Sequence, residues 1–298
     1  MKHAYLIMAH NEMGLLKLLL SKLDHKDNTI YLHCDVKFDC DMDALRAQLN
    51  TSTLHFIKRM DVRWGKYSQI QCELELLKEA VKGNHDYYHL ITGVDLPLKS
   101  NEEINAFFEE HNGQEFVSYD KNANETRNFI NRFDKWHFKL VCKYNNALQR
   151  AVVSLCNIPL QIFEKVANTV AGNRSRKYAD LVFMKGSSYF DITHALATYV
   201  VEKEELIREI FKFSHCCDEV FLHTIAYNSP FVDKITYYGT RYIDWSKHGK
   251  SPEILTLNHW EDMESSGKLF ARKFSSGASG DLIKKLYGAE ALASITKT

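Results

Sequence analysis

Three short clusters of polar residues stand where apolar runs break off: Ala9-His10-Asn11, His33-Cys34-Asp35 and Gly93-Val94-Asp95. If each run is a strand of an open α/β sheet, these residues line its carboxyl end, where such sheets bind ligands. Their polar groups can hydrogen-bond a nucleotide base or ribose; taken singly, each is an ordinary turn or cap residue. A different chemistry is offered by the acidic pair Asp218-Glu219 ahead of an apolar stretch. On spacing alone the pair opens a helix over 218–228, with Asp218 as its cap. Adjacent helical residues point in different directions, so the pair does not form a two-carboxylate site. The strings Asp39-Cys40-Asp41 and Asp41-Met42-Asp43 do not end a strand and read as helix-start charges. His85 and His89 read as surface or packed residues rather than metal ligands. Walker, dinucleotide-fingerprint, nucleophile-elbow and zincin motifs do not occur.

The elements that must hold these clusters alternate. Strands are predicted over 4–9, 29–35, 87–92 and 115–119, and helices over 13–23, 68–81 and from Ser100 through Phe108. Ser68-x-x-Gln71 and Ser100-x-x-Glu103 have capping-box spacing. Strands separated by helices at these intervals imply a mostly parallel sheet with helices on both faces. Residues 121–180 break the pattern: Asn and charge are dense up to Asp134, and 136–170 mixes apolar residues with Lys139, Lys143, Arg150 and Lys165. Amphipathic helices are expected there, as an ordinary packed insertion or as a surface that touches lipid. Signals resume with strands over 181–184 and 234–238 and a helix over 193–203. With no linker or repeat, residues 1–298 read as one domain: a nucleotide-binding half (1–120), a variable helical insertion (121–180) and an acceptor/catalytic half (181–298).

Composition narrows the function. Lys+Arg and Asp+Glu both number 38 among 298 residues, which argues against nucleic acid as a partner held by bulk charge. Seven Cys residues cannot all pair, and with no secretory signal the expectation is reduced thiols in a cytoplasm. No run of 18 apolar residues occurs. The N-x-S/T triplets at Asn50, Asn124 and Asn173 then read as chance.

Seven blocks, in order, resemble the core-2/I-branching β-1,6-N-acetylglucosaminyltransferase and peptide O-xylosyltransferase family: AYLIMAHNEMGLLKLLLSKLDHKDNTIYLHCD, VRWGKYSQIQCELELLKEA, YYHLITGVDLPLKSNEEI, KGSSYFDITHALATYVV, CDEVFLHTIAYNS, RYIDW and LFARKF. Only 121–180 lacks a clear counterpart. The resemblance implies a GT-A fold, a Rossmann-like, mostly parallel sheet flanked by helices, and an inverting transfer of sugar from a UDP-sugar. The chain opens on the first strand without the anchor, stem or disulfides of animal members, and so resembles a free-standing bacterial-type member.

What the resemblance implies for single residues follows the chemistry. Inversion needs one general base for the acceptor hydroxyl; the family's base falls on Glu219. The leaving diphosphate is met by two basic side chains in place of a metal, and these fall on Arg241 and Lys273, with Arg272 as a substitute or helper; fixed cations in a low-dielectric cleft can do a metal's work. Uracil and ribose would be contacted around Ala9, His10 and Asp35, with Trp64 lining the pocket unless it is a core aromatic. Asp95 is the single acid near the diphosphate. Ser187 and Tyr189 would lie near sugar and acceptor; many relatives carry Trp where Tyr189 stands. The expected enzyme uses no cofactor or metal, takes UDP-N-acetylglucosamine first and UDP-xylose or another UDP-sugar second, and acts on a glycan. That glycan could be lipid-linked at the inner membrane face, with peripheral contact through 136–170. The rivals are a metal-dependent enzyme using Asp95 and a non-catalytic nucleotide- or glycan-binding module.

Overall fold

The computed structural model describes residues 1–140, 146–247 and 251–296. Its strands are β1 (His3–Ala9), β2 (Asn28–Cys34), β3 (Thr53–Phe56), β4 (Tyr87–Thr92), β5 (Leu96–Pro97), β6 (Glu115–Tyr119), β7 (Gly186–Thr193), β8 (Ile235–Thr236), β9 (Arg241–Ile243) and β10 (Phe270–Arg272). The first helices are α1 (Met13–Leu23), α2 (Met42–Arg46), α3 (Tyr67–Ala80) and α4 (Asn101–Glu110). The insertion holds α5 (Lys121–Thr126), α6 (Asn131–Asp134) and α7 (Ala147–Ala171). They are followed by α8 (His194–Glu202), α9 (Glu204–Phe211), α10 (Phe221–Tyr227), α11 (Trp260–Ser265), α12 (Gly280–Tyr287) and α13 (Ala289–Thr296).

The main sheet runs β3-β2-β1-β4-β7-β6-β8, and β7 alone is antiparallel to its neighbours. This is the mostly parallel, helix-flanked sheet expected from the sequence. Its strands β1, β2 and β4 are buried on both faces, the pleat dealing successive side chains to opposite sides. Tyr5, Ile7 and Ala9 join one core under α1, α4, α12 and α13, while Ala4 and Leu6 join the other under α3, α8, α9 and α10. A second sheet, β5-β10-β9, is laid at the end of β4.

Local signals succeed and fail for identifiable reasons. Ser100 forms the expected capping box: its Oγ accepts from Glu103 N and its own N–H donates to Glu103 Oε2 (2.8 Å). Ser68 does not, because α3 begins one residue earlier and Ser68 Oγ accepts from Arg63 N (2.8 Å). Asp41 caps α2, accepting from Ala44 N, as read for the Asp-x-Asp strings. The strand expected over 181–184 is absent, since the N–H groups of Val182, Met184 and Lys185 donate to the side chains of Asn228, Thr224 and Asn124 instead of to a strand. The strand is β7, which begins at Gly186, beyond the expected segment, and opens with Gly-Ser-Ser. Cys34 and Cys40 form a disulfide with Cα atoms 6.5 Å apart, within bridging range. The loop between them turns back through Phe38 N donating to Asp35 O, so the expectation of wholly reduced thiols fails at this pair. His85 and His89 are packed: His85 bonds Tyr31 Oη (3.0 Å) and His89 bonds Asp191 (2.8 Å).

Candidate active site at the carboxyl end of the sheet

The ends of β1, β2 and β4 open on one side of the sheet, and antiparallel β7 brings its first residues, Gly186 to Tyr189, to that same side. Ala9 is buried there; its carbonyl accepts from Asp35 N (2.9 Å), and a Cβ on Gly93 would sit 3.1 Å from its own Cβ. His10 follows on the surface. Asp35 is buried, and its carboxylate accepts from Lys37 N (2.8 Å) and Val62 N (2.9 Å) and pairs with Lys37 Nζ at 3.3 Å. What Asp35 does in this structure is hold the loop after β3 onto the sheet end. That loop presents Trp64, which is 62% exposed and edge-on to His215, so the core-aromatic reading of Trp64 is excluded.

The cations are distributed differently from expectation. Arg241 is buried, and its guanidinium forks onto Asp191 (Nη1–Oδ2 2.7 Å, Nη2–Oδ1 2.9 Å) while Nη2 also donates to Leu90 O (2.9 Å). Thr240 Oγ1 and His89 Nδ1 complete the bonds to Asp191. Burial would push the Asp191 carboxyl up, but Arg241's charge and the bonds from His89 and Arg241 hold it far below the usual carboxylate range. Arg241 is thus braced against Asp191, with its Nε buried without a hydrogen-bond partner and its guanidinium 5.5 Å from the Tyr189 ring centre, and both carboxylate oxygens of Asp191 are engaged. Arg272 is a second cation beside the same ring. Its Nε is 3.8 Å from Asp95 Oδ1, is buried without a hydrogen-bond partner, and belongs to a guanidinium 4.6 Å from the Tyr189 ring centre. Asp95 itself accepts from Thr92 N and Thr92 Oγ1 (2.8 Å each). Lys273 is next in sequence, with Nζ donating to Ser251 Oγ (2.9 Å). Ser187 Oγ accepts from Tyr189 N (3.4 Å) within β7.

Asp218 and Glu219 lie in a turn before α10, whose cap is Val220; Asp218 does not cap it. The turn is pinned because Glu219 O accepts from Gly186 N (3.0 Å). A Cβ on Gly186 would meet Ser118 O at 1.8 Å, so only glycine fits there. Asp218 Oδ2 accepts from Ser188 Oγ (3.1 Å) and Gln69 Nε2 (3.3 Å). Glu219 is about a third exposed, and its Oε2 takes Arg132 Nη1 at 2.7 Å and Lys185 Nζ at 3.3 Å. Neither cation was tied to the acid by any spacing in the sequence. Arg132 comes from the insertion, 87 positions away. Among the described residues no three His, Cys, Asp or Glu side chains are grouped to share a metal ion.

Burial, and then the neighbouring Glu219 charge, push the Asp218 carboxyl up to about 6. A raised carboxyl binds its proton more tightly in the folded chain than in the unfolded one. Its contribution to stability is therefore complete below about pH 4 and is lost as the pH rises through about 6. Asp218→Asn, fixed in the neutral form, is expected to melt above the wild type at pH 8, with the gap closing toward pH 4. The opposite contribution of Asp191 cancels in that comparison. Melting curves from pH 4 to 8 check it, and a gap that is flat or widens on acidification would refute the assigned environment.

Comparison with known proteins places these residues in a wider context. The family model described as Core-2/I-Branching enzyme matches residues 3–266. The chain is 22% identical to Xylosyltransferase 2 of Rattus norvegicus, over 95% of this chain and 33% of that protein. It is 21% identical to Xylosyltransferase 2 of Homo sapiens with the same coverages, and 20% identical to Xylosyltransferase 1 of Rattus norvegicus, over 95% and 35%. It spans about a third of the length of these relatives. A solved structure described as mouse Xyloside xylosyltransferase 1, apo form, aligns over 91% of this chain and 96% of that one, at 9% identity and a TM-score of 0.40.

Proposed function

The chain belongs to the Core-2/I-branching enzyme family, and from that premise we propose that it is an inverting, metal-independent glycosyltransferase that takes UDP-N-acetylglucosamine as donor and a glycan hydroxyl as acceptor. The observation that carries the reading is that the first residues of β7 bring together a fixed carboxylate and a cation: Gly186 N holds the Glu219 turn, and Arg272 lies 4.6 Å from the Tyr189 ring centre, with Lys273 next in sequence. Arg132 and Lys185 both engage Oε2 of Glu219, which leaves Oε1 for the acceptor. In the transfer, Glu219 takes the proton of the acceptor hydroxyl while that oxygen bonds to the anomeric carbon. The bond from that carbon to the diphosphate oxygen breaks, and its electron pair leaves with UDP. Arg272 and Lys273 meet the charge that develops on the diphosphate. Metal independence is supported by Asp95, whose two oxygens already accept from Thr92 and whose outer side faces a guanidinium. Ala9, His10 and Trp64 would form the uridine pocket, and Ser187 and Tyr189 the sugar side.

UDP-xylose is the second donor, favoured by the likeness to xylosyltransferases. The acceptor is read as a lipid-linked glycan at the inner membrane face, with peripheral contact through 136–170. The deciding experiment titrates a panel of UDP-sugars in EDTA and in manganese and follows UDP release with and without glycan acceptors. UDP-N-acetylglucosamine should bind and turn over equally in both buffers. Binding without turnover of any donor would favour the non-catalytic module, and turnover only with manganese would move the reading to a metal held at Asp95.

A further inference from the structure

α7 is attached to the protein by its polar face. Asn157, Glu164 and Asn168, at i, i+7 and i+11, bond the extended segment 136–140. Asn168 Oδ1 accepts from Trp136 N (2.8 Å), Glu164 Oε2 from Phe138 N (3.0 Å) and Asn157 Oδ1 from Leu140 N (2.7 Å). The two amides also donate back to the carbonyls of Trp136 and Leu140. The opposite face is apolar and bare. Leu148, Val152, Leu155, Ile162, Val166 and Val170 recur at helical spacing, and each is more than half exposed. This inverts the usual arrangement, in which the apolar stripe turns to the core.

Charge indicates what covers that face. Residues 135–178 carry eight Lys or Arg and a single acid, Glu164, in a chain whose charges balance overall. Glu164 is taken up against Phe138 N, whereas Lys139, Arg150 and Lys165 are exposed; Lys143 is counted from sequence and lies outside the described residues. A second copy docked face to face would set one basic patch against another. No helix among the described residues is long and apolar enough to cross a membrane, so the helix would lie on a bilayer. We propose that the outer face of α7 docks on an anionic lipid surface, its apolar stripe in the acyl boundary and its basic residues at the headgroups. The docked segment is continuous with α6, which supplies Arg132 to Glu219, and His137 N is bonded to Phe213 O (2.9 Å) near the acidic turn. Docking would therefore bring the catalytic turn toward the membrane, but it does not depend on which sugar is moved.

The test is sedimentation of the full chain with vesicles of phosphatidylcholine, and of phosphatidylcholine with about one-third phosphatidylglycerol. A basic residue near an anionic surface contributes about fivefold in partitioning. Binding should therefore be at least about tenfold tighter to the anionic vesicles and should weaken with salt. Ile162→Glu/Val166→Glu should abolish it, and Lys139→Gln/Lys165→Gln should weaken it about 25-fold. All variants should keep the wild-type melting temperature and UDP affinity, because these side chains face away from the fold. Absence of vesicle binding, equal binding to both vesicles, or unaltered binding by the variants overturns the proposal. So does a dimer in light scattering that Ile162→Glu/Val166→Glu dissociates. The assay needs no turnover, so its failure leaves the transferase reading standing, and failure of the donor panel leaves this proposal standing.

Discussion

Glu219→Gln should lower transfer at least about a hundredfold, the lower end of general-base effects, while UDP affinity stays within about twofold of the wild type. Glutamine keeps the shape of the side chain and can still accept from Arg132 and Lys185 through its carbonyl oxygen, so the turn before α10 should not move. What it removes is the capacity to take a proton. Asp218 provides the internal control. Its carboxyl is held by Ser188 and Gln69 and pushed up to about 6, a value suited to a base. It is bonded into β7 and α3, however, whereas Glu219 is about a third exposed, with both of its cations on Oε2. Single-turnover rates for Glu219→Gln and Asp218→Asn separate the two. If Asp218→Asn is the inactive variant and Glu219→Gln turns over normally, the base is Asp218 and Glu219 only anchors Arg132. A third variant, Arg132→Gln, should reduce transfer less than Glu219→Gln, since Arg132 acts through the carboxylate.

The sheet was readable from sequence because both of its periodicities are local. β1, β2, β4 and β6 are short apolar runs, and α3 repeats Ile70, Leu74 and Leu77 on one face. β7 was hidden for the complementary reason. Gly186-Ser187-Ser188 has turn composition, and only pairing with β4 and β6 makes it a strand. The site divides the same way. A motif locates the acidic turn and the cations of β9 and β10, but it does not say which way a side chain points. Arg241 meets Asp191 50 positions away, and Glu219 meets Arg132 87 positions away. Such contacts exist only once the sheet has closed. The inverted amphipathicity of α7 is intermediate: the apolar stripe is visible in sequence, but its outward direction follows from bonds to the 136–140 backbone.

The diphosphate cations should divide by their response to UDP and uridine. Arg272→Ala and Lys273→Ala each remove a charge at the end of β10, and a hydrogen bond to a charged group contributes about 1.5–3 kcal/mol. Each should therefore weaken UDP about ten- to a hundredfold and change uridine, which lacks the phosphates, by less than about threefold. Arg241→Ala should behave otherwise. It leaves Asp191 buried with only His89 and Thr240 as partners, and breaking a buried ion pair costs about 3–5 kcal/mol. At about 2–4 °C per kcal/mol for chains approaching this size, the melting temperature should fall by roughly 6–20 °C, and any loss of affinity should be shared by UDP and uridine. Calorimetry with both ligands, in EDTA and in manganese, and a melting curve for each variant decide the assignment. If Arg241→Ala melts like the wild type and loses UDP alone, its guanidinium leaves Asp191 when the donor binds, and the expectation drawn from the RYIDW motif is restored. If Arg272→Ala and Lys273→Ala lose both ligands equally, the cations of β10 do not meet a diphosphate. Metal-free stabilisation of the leaving group would then have no carrier among these residues.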